Sequence, residues 1–185
     1  SKAILLSYPN NPTGAIMEKA DLEDIAQVAR NYNLLVISDE VYAELTYGRK
    51  HVSISTLEGM KERTILLNGF SKAFAMTGWR LGYAAGPKEI IDAMLKIHQY
   101  TMLCAPSLSQ FAAVKALREG ISFIDEMVND YDKRRRMIVK GLRELGLPCF
   151  EPQGAFYVFP SIKGTGMTSE EFCEKLLFEE KVAVV

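Results

Sequence analysis

Leu34-Leu35-Val36-Ile37-Ser38 runs without a turn residue into Asp39-Glu40-Val41-Tyr42. Leu34 to Ser38 is apolar but for its last residue, too short for a helix and without polar alternation, the pattern of a strand buried on both faces of a parallel sheet. Asp39 and Glu40 then lie where the chain leaves that strand. The pattern recurs on both sides. Ala3 to Tyr8 reads as a strand. Leu22, Ile25, Ala26 and Ala29, at helical spacings, predict a helix capped by Asp21 and ending near Asn33. Thr64 to Leu67 and Leu81 to Ala85 read as two more strands. Such alternation predicts an α/β fold with a largely parallel sheet. Ligands of these sheets collect beyond the carboxyl ends of the strands, so Asn10 to Gly14, Asp39 to Tyr42 and Asn68 to Lys72 are expected to converge.

Further along, the periodicity predicts helices from Lys88 to about Met102, Leu108 to Leu117 and Ile121 to Leu145, the last closed by Gly146. Asp125, Glu126, Asp130 and Asp132 precede the basic run Lys133-Arg134-Arg135-Arg136 and offset its charge, so the run reads as a solvated helix face rather than a nucleic-acid contact. Gly154 to Phe159 is expected to be a strand, followed by a helix from Ser169 to about Glu180 and a strand over Val182 to Val185. A domain boundary is placed at 132/133, with 133–185 as the start of a smaller domain. Both ends read as buried strands, so the chain is expected to be cut from something longer.

Of 185 residues, 48% are hydrophobic and 24% charged, with 22 Lys and Arg against 23 Asp and Glu. This is the composition of a soluble globular protein, with no field for nucleic acid. No apolar run reaches bilayer length and no signal-peptide core is present, so no membrane partner and a cytoplasmic location are expected. Cys104, Cys149 and Cys173 have neither disulfide nor zinc spacing and are expected to be free, buried thiols. With only His51 and His98, histidine-based metal chemistry and Ser-His-Asp hydrolysis are poorly supported.

Lys72 lies among glycines and aromatics in the run Gly69 to Tyr83, with Arg80 eight residues on. An amine starved of water and set near positive charge is held neutral and attacks carbonyls. Arg80 offers such a charge and a planar fork for an anion. The plainer reading of Lys72 is an exposed, ion-paired side chain. Asp39 at a strand end needs a cation or several donors, and a protonated pyridine nitrogen is one such partner; a helix cap or structural ion pair is the alternative. Tyr42 can offer its phenol to a ring oxygen or sit in the core. Glu40 reads as structural. Asn10-Asn11-Pro12-Thr13-Gly14 is a turn by composition, with Gly14 supplying positive φ, yet an Asn there can donate to a phenolate oxygen.

Together Asn10-Asn11-Pro12-Thr13-Gly14, Ser38 to Tyr42 and Ser71 to Tyr83, with Gly154-Ala155-Phe156-Tyr157 further on, resemble the pyridoxal-phosphate-dependent class I/II aminotransferases of fold type I, in the branch of aspartate and aromatic aminotransferases. The resemblance spans essentially the whole chain. It implies that residues 1–132 are the C-terminal part of the large, mostly parallel-sheet domain and 133–185 the start of the small α+β domain. By the same resemblance, Lys72 holds pyridoxal 5'-phosphate covalently and carries the α-proton, and Asp39 pairs with the pyridine nitrogen. Tyr42 and Asn11 contact the ring oxygen, and Arg80 binds the phosphate. Where many relatives carry Ser or Thr three residues before the lysine, Gly69 stands here, so Ser71 is the substitute phosphate contact. Amino acid and 2-oxo acid substrates follow from the resemblance, as does a homodimer whose partner comes near Cys104-Ala105-Pro106. So does an expectation that these 185 residues alone turn nothing over, because the family places its glycine-rich phosphate loop, ring-stacking aromatic and substrate arginine elsewhere. A carbon–sulfur lyase, or a ligand-sensing domain of a transcription regulator, are the alternatives on the same scaffold.

Overall fold

The computed structural model of the protein describes residues 1–184. Its elements are β1 (Ala3–Ser7), α1 (Lys19–Asn31), β2 (Leu35–Asp39), β3 (Thr64–Gly69), α2 (Phe70–Ala73), β4 (Gly82–Ala85), α3 (Lys88–Thr101), α4 (Ser107–Glu119), α5 (Ile121–Glu144) and α6 (Ser169–Phe178). The strands form one sheet in the order β1-β2-β3-β4. The α/β fold expected from the sequence is present. β1, β2 and β3 run parallel, in a register that sets Ser7 beside Asp39 and Asp39 beside Leu67.

β4 is antiparallel to β3, with Gly69 opposite Gly82. Its composition suggested a further member of the parallel set. A parallel crossover needs a dozen or more residues, usually a full helix, and 70–81 folds instead into two short helical turns, α2 and Thr77–Trp79, that bring the chain straight back. Arg80 therefore enters at the sheet edge where β3 leaves.

β1 and β2 are less buried than their composition suggests. In β2, Val36 and Ser38 are buried while Leu35, Ile37 and Asp39 are half-covered, and in β1 Leu5 is 71% exposed. The covered face packs on α1. Leu22, Ala26 and Ala29 of α1 join Leu6, Val36, Ile54 and Met60 in the largest core cluster. α1 begins earlier than expected, because Asp21 is its third residue rather than its cap: the Asp21 carboxylate reaches back to accept the Glu18 N–H at 3.0 Å. It ends as expected, with Asn33 at φ 47 and the Leu34 N–H returning to Ala29 O at 2.8 Å. α5 closes the same way at Gly146, φ 78, with Leu147 N–H bonded to Leu142 O at 2.9 Å.

Among the described residues two expected strands do not form. Within 154–159 only Gly154 makes an isolated bridge, to Thr46, and Pro160 just beyond makes another, to Cys149. Ala155 at φ 55 breaks the extended run, and the backbone groups of 153–155 are taken up by Gly14, Leu45 and Tyr47 instead of a strand. Lys181 at φ 60 and the Val182 N–H bonded to Leu176 O finish α6 rather than open a strand, and Val185 lies outside the described residues. The basic run also departs from expectation. Lys133, Arg134 and Arg136 are exposed, but Arg135 is tied to Asp132 and to Glu151 at 2.9 Å, with its guanidinium 5.1 Å above the Tyr47 ring. Of the three cysteines, all free, only Cys149 is buried. Among the described residues no helix is long and apolar enough to cross a membrane.

Candidate active site

Three parallel strands and one antiparallel strand bring Ser7, Asp39, Asn68-Gly69 and Gly82 to one edge of the sheet. Asp39 is fixed there: its Oδ1 accepts the Val41 N–H at 3.2 Å and its Oδ2 faces the Ser7 hydroxyl at 3.4 Å. Glu40 turns the other way. Nearly fully buried, it accepts from Ser38 at 2.9 Å and Ser53 at 2.7 Å and meets His51 at 2.7 Å. Three partners satisfy it as a structural carboxylate that pins the 51–53 loop to β2, as the sequence suggested.

Lys72 rides on α2, the single turn that follows β3. Phe70 and Met76 anchor that turn against Ala113 of α4, and the Ser109 hydroxyl of α4 donates to Trp79 O at 2.7 Å. The Lys72 Nζ lies 5.3 Å from the Tyr42 ring centroid and 5.1 Å from that of Phe156. It takes part in no ion pair among the described residues, contrary to the plainer reading. Its amine is held between aromatic faces, which attract a cation weakly and leave it open to exchange for a better partner.

Tyr42 is buried against Leu45 and Ala155, backed by Met127, Val128 and Tyr131 of α5. Burial pushes its phenol well above its ordinary 10, and the charge of Asp39 adds to the rise. It therefore stays protonated, a donor, throughout the neutral range.

Gly14 takes positive φ, 70, as expected, and its carbonyl accepts the N–H groups of Gln153 and Gly154, both at 2.9 Å. A Cβ on it would fall 2.3 Å from Pro152 Cβ, so only glycine permits this contact. The contact docks 153–155 and delivers Phe156 and Tyr157 to Tyr42. Within the same turn the Asn10 amide is spent, donating to Ser7 O at 3.3 Å and accepting from the Thr13 hydroxyl at 2.7 Å. The Asn11 side chain is exposed and makes no hydrogen bond among the described residues.

Thr77 links the remaining pieces. Its hydroxyl donates to Ser71 O at 3.0 Å and its carbonyl accepts from the exposed Arg80 guanidinium at 3.0 Å. Ser71 is half-buried, and its own hydroxyl is without a partner among the described residues. Gly69 has a packing reason to lack a side chain: a Cβ there would meet Leu81 O at 3.1 Å and Gly82 Cα at 3.2 Å, pressing on β4. Phe156, Tyr157, Ser7 and Thr77 complete the constellation; Phe156, Tyr157 and Thr77 stand in the motifs of the family resemblance, but no role in the site was assigned to any of the four from the sequence. Phe156 and Tyr157 lie more than a hundred positions from Tyr42 and had read as strand.

The sequence model for class I and II aminotransferases matches residues 1–185. The chain belongs to this family. It is 53% identical over 188 aligned positions to an aspartate aminotransferase of Pyrococcus abyssi, covering 100% of this chain and 48% of that protein. It is 48% identical over 188 positions to aromatic-amino-acid aminotransferase 2 of Thermococcus litoralis, with the same coverage. The crystal structure of an aromatic aminotransferase from Pyrococcus horikoshii superposes with a TM-score of 0.96 at 49% identity, over 100% of this chain and 50% of that one. The chain spans about half the length of the relatives it matches. With the family comes fold type I, as the resemblance implied.

Proposed function

We propose that the protein to which these residues belong moves an amino group between an amino acid and a 2-oxo acid, using pyridoxal 5'-phosphate. The observation that carries the reading is Lys72: an amine without an acidic partner among the described residues, between the rings of Tyr42 and Phe156, at the sheet edge that also presents Asp39. The donor set fits the cofactor: a carboxylate for a pyridine nitrogen, a neutral phenol and a free amide for a ring oxygen, a guanidinium for a phosphate and an amine for an aldehyde. The aminotransferase names of its relatives support amino-group transfer over lyase chemistry or ligand sensing.

When bound, the cofactor supplies an electron sink that makes the α-proton of an amino acid removable. In this reading Asp39, oriented by Val41 and Ser7, keeps a positive charge on the ring nitrogen. Tyr42 and Asn11 hold the ring oxygen, and Arg80, with Ser71, holds the phosphate. Lys72 would hold the cofactor through Nζ, and the same amine, when free, would take and return the α-proton. Phe156 and Tyr42 keep water from that amine.

The same reading divides the chain at 132/133 into parts of a large and a small domain, with α5 crossing the boundary. It also makes the full protein a homodimer, supported by the uncovered apolar side chains of Leu103, Leu108 and Phe111 beside Cys104-Ala105-Pro106. Lys72→Ala in the full protein is the test. Transamination is expected to fall at least about 10²–10⁴-fold, with loss of the visible absorbance of covalently held cofactor. Survival of that absorbance would refute the reading.

A further inference from the structure

The hydroxyls of Tyr42 and Tyr157 lie 2.6 Å apart, and neither has another hydrogen-bond partner among the described residues. Two hydroxyls in contact share one hydrogen bond, so one donates and the other accepts. Tyr42 has a single proton. Donated to Tyr157, it is unavailable to any ligand. Received from Tyr157, the same hydrogen bond polarises Tyr42 and leaves its proton free for an oxygen in front of it.

The surroundings of Tyr157 are those of a placed group. Its ring meets Tyr42 edge-on, with centroids 5.8 Å apart at 74°, and lies 4.9 Å from Phe156. The backbone before it is clamped to Gly14, Leu45 and Tyr47 through the N–H groups of 153–155 and the Gln153 carbonyl. A phenylalanine would fill the same space. The hydroxyl is therefore the part that needs a reason, and its one contact is the Tyr42 oxygen.

We propose that Tyr157 is a positioning residue for Tyr42: its hydroxyl donates to the Tyr42 oxygen, so that the Tyr42 proton is aimed at, and strengthened toward, an anionic ring oxygen. This rests on the functional reading above, because the oxygen belongs to the proposed cofactor. A donor to an anionic oxygen favours its deprotonated form. Weakening that donor makes the oxygen hold its proton to higher pH.

The test is a pH titration of the visible absorbance of the full protein loaded with pyridoxal 5'-phosphate. Tyr157→Phe is expected to raise the midpoint by about half a unit and to weaken cofactor binding about two- to fivefold. Tyr42→Phe is expected to raise the midpoint further, and the double variant to match Tyr42→Phe, since Tyr157 acts only through Tyr42. Installing 3-fluorotyrosine at 157, a stronger donor of nearly unchanged volume, is expected to lower the midpoint and keeps the test available if Tyr157→Phe folds poorly. An unmoved midpoint in these variants, or a Tyr157→Phe shift that adds in full to that of Tyr42→Phe, overturns the proposal. Lys72→Ala separates the two failures: if it abolishes the absorbance while the Tyr157 variants leave the midpoint unmoved, the functional reading stands and only the role of Tyr157 falls.

Discussion

Within residues 3–86 one face of the sheet is enclosed against α1, whereas α3 and the outer faces of α4 and α5 leave their apolar side chains open. In the first region Val36, Ala26, Ala29, Ile54 and Met60 are almost wholly enclosed. In the second, α3 has no buried residue, Tyr100 is 87% exposed and Phe111 76%. Both regions are amphipathic by sequence, so the difference is not in the pattern. A helix forms on local hydrogen bonds and spacing, but its apolar face is covered only if a partner lies alongside. α1 has the sheet as its partner. α4 and α5 are intermediate: each uses one face to support the Lys72 turn or Tyr42 and leaves the other uncovered. The machinery of the site is thus held by the enclosed region and only buttressed by the open one.

The sharpest test of that contrast is Met60→Ala, which removes a fully enclosed side chain. It is expected to cost about 2–5 kcal/mol in urea unfolding. Arg135→Ala comes next. Burial pulls the Asp132 carboxyl up, but the hydrogen bonds from Arg135 and Arg136 more than offset it and hold it below the ordinary carboxylate range. Removing Arg135 leaves Asp132 with Arg136 and Glu151 with Arg143 as their remaining partners and is expected to cost about 1–3 kcal/mol, read by the same unfolding curves.

Tyr47 supplies a pH test of the junction between the 45–47 loop and 153–155. Burial pushes its phenol up to about 12 from an ordinary 10, against the opposing pull of Arg135, and its hydroxyl donates to Ala155 O. The folded state thus holds this proton more tightly than the unfolded chain. Its contribution is complete below pH 10 and is lost as pH rises from 10 toward about 12. Unfolding midpoints measured across that window should fall, and Tyr47→Phe should flatten the fall while costing about 1 kcal/mol at neutral pH. Smallest of all should be Phe111→Ser in the 185-residue chain, within about 0.5 kcal/mol of the parent. A cost like that of Met60→Ala would break the comparison. A cost that appears only in the longer protein would sharpen it, by showing that this face is covered there.

Much of the candidate site was legible in the sequence. Lys72, Asp39, Tyr42, Asn11 and Arg80 stand in motifs whose residue types state a chemistry, and the strand-end rule collects most of them at one edge. The expected strand at 154–159 was not found, because composition records only that Phe156, Tyr157 and Val158 suit a strand. Whether their backbone pairs with one depends on what docks there. Gly14, read simply as a turn glycine, is also the contact that draws Gly154 in.

Periodicity, turn chemistry and motif order by themselves determined the parallel β-α-β start, the helix positions and the kinds of group in the site, because these depend on neighbours within a few residues. Tertiary structure alone decided that β4 runs antiparallel and so returns Arg80 to the edge where Lys72 stands. It likewise decided that Tyr157 meets Tyr42 across more than a hundred residues, and that Arg135 leaves solvent. Each of these depends on which surfaces meet after the chain has folded back, and the free energy of such a meeting belongs to both partners at once.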